Sequence, residues 1–469
     1  MEEDPNDSSP LLQLIPRNRM SSRQKALLLA ENDGDSSPPL YGFLGEPTDL
    51  QQMQCKNFLG SCIWRENGSI IYFNNHHCEP FLERYLLLLL SNHDQKDHLY
   101  CAVYGETDAA IAETATFFLS LPDAWHTYFT IYSLDNSFDF GALQLPQLIR
   151  ILKSNPQRRI RLFGGTFSED QAVILASRPH CLHLELGREF SFHDGGMAFV
   201  SALGNRTTSF GTLVLMYERH GYPFNNFPLN RFFELQNAFD KLEICGISPG
   251  CAMLPLVTHV NTLVYRVHAQ LLPPDDFEDL EIDPKDITLQ LFLDDGDDWH
   301  EIVIAFLKQV AAAGHVERLC LSLSGDRSLQ LDHDEAAPVA KALILCIKRN
   351  PKLRCLDLSE TAQLIDWRPH LQGIFEVLET HTSLRKFVVK DRTWKQLHYT
   401  WLAQLLTRNC NITVLNDKGR MCSNGSTIDK IYAERRNAST SQPGINDPPG
   451  SSSLEAQPTK PRKRKTRMH

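Results

Sequence analysis

Apolar positions along this chain change their spacing in a regular way. Between Pro338 and Glu360 the sequence reads PVAKALILCIKRNPKLRCLDLSE. Val339, Leu343, Cys346 and Ile347 recur at helical spacing and form one apolar stripe. Pro338 suits a first helical turn, where its missing N–H costs nothing. Asn350 is expected to take the left-handed cap conformation, and Pro351 forbids another turn. The period then falls to two in Leu353-x-x-Leu356-x-Leu358, which predicts a short strand.

The same helix–stop–strand unit recurs. Helical patterns at Leu145–Leu152, Ala172–Ala176, Met197–Leu203 and Phe232–Ala238 precede the triplets at Ile160, Leu184, Leu213 and Leu242. A shortened unit gives Leu263-Val264-Tyr265, and the next gives Leu289-Gln290-Leu291. Ile302–Ala312, closed by Gly314, leads to Leu319-Cys320-Leu321. Leu371–Leu378 leads to Phe387-Val388-Val389, and Trp401–Leu406 leads to Ile412-Thr413-Val414-Leu415. Counted from Ile131, successive triplets lie 21 to 37 residues apart, about 28 on average. A strand, a turn, a helix and a return turn need about that many residues. One such unit cannot bury its own apolar face, so units must stack.

This unit resembles a leucine-rich repeat of the ribonuclease-inhibitor-like type, over about residues 65 to 420. The loose, long-helix style is similar to the divergent leucine-rich-repeat proteins common in diatoms and other microalgae. The spelling L-x-x-L-x-L-x-x-N is met in part: Gln363 or Leu364 stands where the asparagine would be. The resemblance implies an α/β solenoid, a horseshoe with parallel strands on its concave face and helices on its convex face. The middle residue of each triplet should then point to the concave side. These are Tyr132, Arg161, Glu185, Val214, Glu243, Val264, Gln290, Cys320, Asp357, Val388 and Asn416. The mixture of acids, apolar residues and one arginine suits a protein partner better than nucleic acid, which wants Lys, Arg and aromatics.

The rest of the chain divides by composition. Residues 1–50 are rich in Ser, Pro, Asp and Asn, with one short helical candidate at Arg23–Glu31, and are expected to be disordered. Residues 51–127 predict a divergent N-terminal cap: strands at Ser69–Phe73 and His98–Tyr104, and helices at Phe81–Ser91 and Ala109–Leu119. Leu86–Leu90, the densest apolar run, is far too short to span a bilayer and reads as buried helix. The solenoid proper covers 128–426. Residues 427–469, after a last helical candidate at Ile428–Arg436, read as a disordered tail. No apolar segment near the start suggests a secretory signal, and no C-x-x-C pair is present, so a reducing compartment is expected.

The net charge of −10 argues against binding nucleic acid through bulk charge. The tail residues Lys460, Arg462, Lys463, Arg464 and Lys465 are the exception: they resemble a nuclear localisation signal and would also suit nucleic acid or anionic membrane. The expected compartment is therefore nucleus or cytoplasm. Residues 275–298 are strongly acidic, which fits a docking loop for a basic partner or a solvated loop between repeats. Asp294–Asp298 lacks EF-hand spacing. His76, His77, Cys78, Cys55 and Cys62 offer soft metal ligands without the paired spacings zinc uses, and His180, Cys181 and His183 sit at a strand. No nucleophile elbow, phosphate-binding loop or H-E-x-x-H occurs. The expectation is a non-enzymatic scaffold without cofactor, metal, small-molecule substrate or membrane contact, binding a protein on its concave face. Two further readings stand beside it. One is a GTPase regulator, by analogy with activating proteins of the Ran type that share this repeat class. The other is a ubiquitin-ligase substrate adaptor, which would need an F-box-like segment before the repeats.

Overall fold

A computed structural model describes residues 11–29, 38–50, 52, 60–74, 84–91, 98–122, 128–133, 137–216, 223–294, 298–325, 336–361, 364–391 and 394–440. In chain order the strands are β1 (Leu12–Leu14), β2 (Leu40–Phe43), β3 (Ser61–Trp64), β4 (Ser69–Asn74), β5 (Tyr85–Ser91), β6 (His98–Gly105), β7 (Tyr128–Tyr132), β8 (Arg159–Phe163), β9 (Thr166–Phe167), β10 (Leu182–Leu186), β11 (Ser191–Phe192), β12 (Gly211–Met216), β13 (Lys241–Cys245), β14 (Thr262–His268), β15 (Asp286–Leu293), β16 (Arg318–Gly325), β17 (Cys355–Asp357), β18 (Lys386–Val388) and β19 (Thr413–Leu415). The helices are α1 (Ser22–Leu29), α2 (Asp108–Ser120), α3 (Leu145–Ser154), α4 (Glu169–Ser177), α5 (Met197–Gly204), α6 (Asn226–Phe233), α7 (Trp299–Ala313), α8 (Ala336–Arg349), α9 (Leu371–Glu379), α10 (Gln396–Arg408) and α11 (Thr427–Thr440). The chain divides into two units, Met1–Cys422 and Ser423–His469.

Seventeen strands of the first unit form one long, mostly parallel sheet that is not closed into a barrel. From β7 onward every step is parallel, through β8, β10 and β12 and then each strand to β19. The alternation of strand and helix forces this, because each crossover returns the chain to the same end of the sheet. Register aligns one apolar residue per strand: Phe129, Ile160, Leu184, Leu213, Leu242, Leu263, Ile287, Leu319, Leu356, Phe387 and Val414. All are buried, as is the facing stripe Val339, Leu343, Cys346 and Ile347 of α8. Neighbouring helices touch in sequence from α2 to α6 and from α7 to α10. Between them, where units shorten, the 3₁₀ turns Leu254–Val257 and Pro274–Phe277 stand in for helices.

Two devices join the units beyond the apolar core. The first is aromatic. Phe140, Phe167, Phe190, Phe192 and Phe199 follow one another with ring centroids 5.3, 5.2, 5.2 and 5.1 Å apart. The small parallel pair β9–β11 carries two of these rings. The second is polar. Arg158 donates to the carbonyls of Leu119 and Leu121, and Arg206 to those of Ala176 and Arg178. His315 contacts the carbonyl of Asp283 at 2.8 Å, and Asn350 Nδ2 donates to Val316 O at 2.9 Å. Asn409 Nδ2 donates to Leu378 O and His381 O at 2.8 and 3.0 Å. In each case a residue just before a strand reaches back to the preceding unit. These bonds satisfy carbonyls left open where a helix or turn ends.

Several expectations are corrected. Asn350 is not left-handed; among the described residues only Glu189 and Asn237 have positive φ outside glycine. Its side chain bridges two units instead. Gly314, at φ 63°, does close α7 in that conformation. Leu86–Leu90 is strand β5, not helix. It is an inner strand of an antiparallel group, paired along both edges with β6 and β7; Leu86 and Leu88 are buried on one face, while Leu87 and Leu89 on the other are half-buried without any polar alternation. Residues 51–127 are accordingly not degenerate parallel units: β3–β4, β4–β6, β6–β5 and β5–β7 are all antiparallel. Residues 11–29 and 38–50, expected to be disordered, form β1, α1 and β2, with Leu28 and Leu40 buried against Cys62 and Ile70. The helix read at Phe232–Ala238 ends at Phe233 and begins at Asn226. In the second unit, α11 extends the helical candidate to Thr440, and Ser423 donates to the Asp429 carboxylate.

Candidate functional site

Strand residues one step from the buried row lie on the sheet face away from the helices. Register places Arg161, Glu185, Val214, Glu243, Val264, Cys320, Asp357 and Val388 in one row across this face. Three members are corrected. Thr288, not Gln290, stands opposite Val264; Gln290 lies one pair further along, opposite Arg266. Thr130, not Tyr132, faces Arg161, and Leu415, not Asn416, faces Val388. Strands β7 and β15 offer alternating apolar positions two residues apart, so spacing alone cannot choose the register. The row is also less exposed than a free sheet surface: Glu185, Val214 and Val388 are buried.

Charges on this face are mostly paired. Arg161 and Glu185 meet at 2.6 Å. Burial raises the Glu185 carboxyl above its ordinary range, and Arg161 only partly offsets that. Glu243 lies 3.1 Å from Lys241 and 2.6 Å from Arg266. Burial works against its charge, but the two cations prevail and hold it below the usual carboxylate range. His183 is pushed down to about 4, first by burial and then by Arg159, Lys241 and Arg161. Burial, aided by Asp357, pushes the Cys320 thiol up to about 12, away from nucleophilic use.

The sequence reading missed an apolar strip on the same face. Register links Cys62, Tyr72, Ala102, Leu87, Tyr132 and Phe163 in one transverse line. Its first members lie with Ile70 under Leu28 of α1. Beyond α1, Tyr72, Leu87, Tyr132 and Phe163 are half-buried, and the first three frame a hollow of about 70 Å³ with Ala102, Tyr100 and Leu89. Tyr132 stacks on Phe163 at 5.0 Å and 25°. Gly187 makes room for that ring, since a Cβ there would sit 2.2 Å from it. Arg159 and Arg161 flank the strip, each over the Tyr128 ring, at 4.8 and 4.6 Å. Beside them a polar cleft of about 380 Å³ opens at the starts of β8, β10 and β12, lined by Arg159, Cys181, His183, Thr212 and Asp240. No single-strand signal announces this strip, because its residues are far apart in sequence.

Other candidates fare differently. Cys62 is buried, while His76, His77, Cys78 and Cys55 lie outside the described residues, as do Lys460, Arg462, Lys463, Arg464 and Lys465. Among the described residues no group of three His, Cys, Asp or Glu side chains converges as a metal site would, and no helix is long and apolar enough to cross a membrane. The acidic stretch 275–298 is tied to the core by Phe277 and Ile282, both buried, with Phe277 against Phe306. A scan against protein-family models finds no match to this chain, and a search of curated proteins finds none either.

Proposed function

We propose that this chain is a leucine-rich-repeat scaffold that binds another protein on the sheet face opposite helices α2 to α10. The observation that carries this reading is the strip of half-buried aromatics at Tyr72, Tyr100, Tyr132 and Phe163, bordered by Arg159 and Arg161. Protein interfaces concentrate Tyr, Phe and Arg at the centre of a contact, with paired polar groups around it. A packed aromatic also loses little side-chain freedom on binding, so its contact is efficient. The neighbouring ion pairs at Arg161–Glu185 and Glu243–Arg266 would then fix orientation more than they add affinity.

The test is comparative capture of partners by the full chain, read by mass spectrometry. The double variant Tyr132→Ser, Phe163→Ser should lose a partner that the helix-side variant Leu345→Ser retains. A partner set unchanged by the first pair, with the fold intact, refutes the reading. GTPase regulation and ubiquitin-ligase substrate adaptation are the alternative readings, and no side-chain arrangement among the described residues favours either.

A further inference from the structure

The strand starts at one end of the sheet carry a second feature. Arg318 on β16 stands opposite Cys355 on β17, which stands opposite Lys386 on β18. The residues just before these strands stack as well. The Arg354 N–H donates to Glu317 O, and the Arg385 and Lys386 N–H groups donate to Arg354 O. Lys285, just before β15, continues the line, since the N–H groups of Glu317 and Arg318 both donate to its carbonyl. Lys285, Arg318, Arg354, Arg385 and Lys386 are all exposed. Asp286 and Glu317 oppose them, 3.8 Å from Arg318 and 3.1 Å from Arg354. Lys285, Arg385 and Lys386 make no ion pair among the described residues. A chain of net charge −10 has thus gathered an excess of cations along one edge.

We propose that this basic edge receives an extended acidic segment of the partner protein. The proposal rests on the reading that the sheet face opposite α2 to α10 binds a protein, and it names the chemistry of that protein. Adjacent strands are about 4.8 Å apart, so Lys285 to Arg385 spans roughly 14 Å across three strand steps. Four or five extended residues cover that distance at about 3.3 Å each. Carboxylates alternating along such a segment meet the cations in turn. Clustered like charges that cost self-repulsion in the free protein are relieved when the segment binds. Nucleic acid fits less well. The row running through these strands offers Cys320, Asp357 and Val388, with no aromatic on which a base could stack.

The experiment measures binding of a fluorescent Asp/Glu-rich peptide to the full chain, beside Asn/Gln-rich peptide and single-stranded RNA of equal length. The Asp/Glu peptide should bind, more weakly at higher salt. The triple variant Arg354→Glu, Arg385→Glu, Lys386→Glu should weaken it about tenfold or more. A helix-side triple of equal charge change, Arg150→Glu, Lys341→Glu, Lys348→Glu, should stay within about twofold. If the reversed triple unfolds, the neutral set Arg354→Gln, Arg385→Gln, Lys386→Gln replaces it, with a smaller loss expected. Equal loss in both triples, equal binding of the Asn/Gln peptide, or tighter edge-dependent binding of RNA overturns the proposal. Both variants are also run in the partner capture. A partner lost with Tyr132→Ser, Phe163→Ser but kept by the edge triple overturns the acidic-segment inference alone. A partner indifferent to both overturns the binding face as well.

Discussion

Asn409 tests how the units are held together. It is buried, and its Nδ2 donates to Leu378 O at 2.8 Å and His381 O at 3.0 Å, both in the preceding unit. Its Oδ1 accepts from the Asn411 N–H at 3.1 Å. Asn409→Ala takes the side-chain partner from His381 O and from the Asn411 N–H, while Leu378 O keeps the His381 N–H at 3.3 Å. An orphaned buried polar group costs about 1–3 kcal/mol. Partial relaxation keeps the pair from adding fully, so about 2–4 kcal/mol is expected. The effect should be local, because a stacked array loses order unit by unit. Hydrogen exchange read by mass spectrometry on peptides covering β18 and β19 is the assay. Protection there should fall by between about 30-fold and 700-fold, at about 1.4 kcal/mol per tenfold. Peptides in β8 to β12 should not change. Asn409→Asp should be worse, since it removes the donors and adds a buried charge. Unchanged exchange at β18 and β19 in Asn409→Ala would refute the claim that these polar bridges stabilise the stack.

Other consequences follow from the same register and burial. Leu356→Asp, at a fully buried position, should disrupt β16 to β18, while Asp357→Ala on the opposite face should leave thermal stability within about 1 kcal/mol; equal melting of both would contradict the assignment of faces. Arg178 is buried, and none of its three guanidinium nitrogens has a hydrogen-bond partner among the described residues, so Arg178→Met should raise stability by about 1–3 kcal/mol in urea unfolding. His183 is held neutral down to about pH 4, whereas the unfolded chain takes up that proton near pH 6.5. Its contribution is full above pH 6.5 and fades as pH falls toward 4, by up to about 3 kcal/mol. His183→Gln should flatten that part of the stability profile, measured as the urea midpoint against pH. Gly187→Val should displace Phe163 and weaken partner capture without unfolding the sheet.

Much of the architecture was legible because helix stops and strand starts are spelled locally. Asn350-Pro351 before Leu353-x-x-Leu356 is an example, and Gly314 before Leu319 is another. Errors arose where one pattern admits two structures. Leu86–Leu90 has no polar position to reveal its period, so an inner strand and a buried helix read alike. Ile412-Thr413-Val414-Leu415 allows either of two inward residues, and the slip of one moved Asn416 into the row in place of Leu415. The sites were harder to read than the fold. Arg354 and Arg385 become neighbours only through backbone pairing, and Tyr72 and Phe163 only through three antiparallel pairings and one parallel one. Distance in sequence hides such groups until register is known.

The polar bridges described above share one direction. Arg158, His315, Asn350 and Asn409 find their carbonyl acceptors earlier in the chain, as does the Arg206 Nη1 that reaches Ala176 and Arg178. A ribosome delivers residues in that same direction, so every newly emerged donor meets a docking point that already exists. Growth of the ladder can therefore proceed as zippering onto a finished end, with the antiparallel strands β3 to β7 as its starting block.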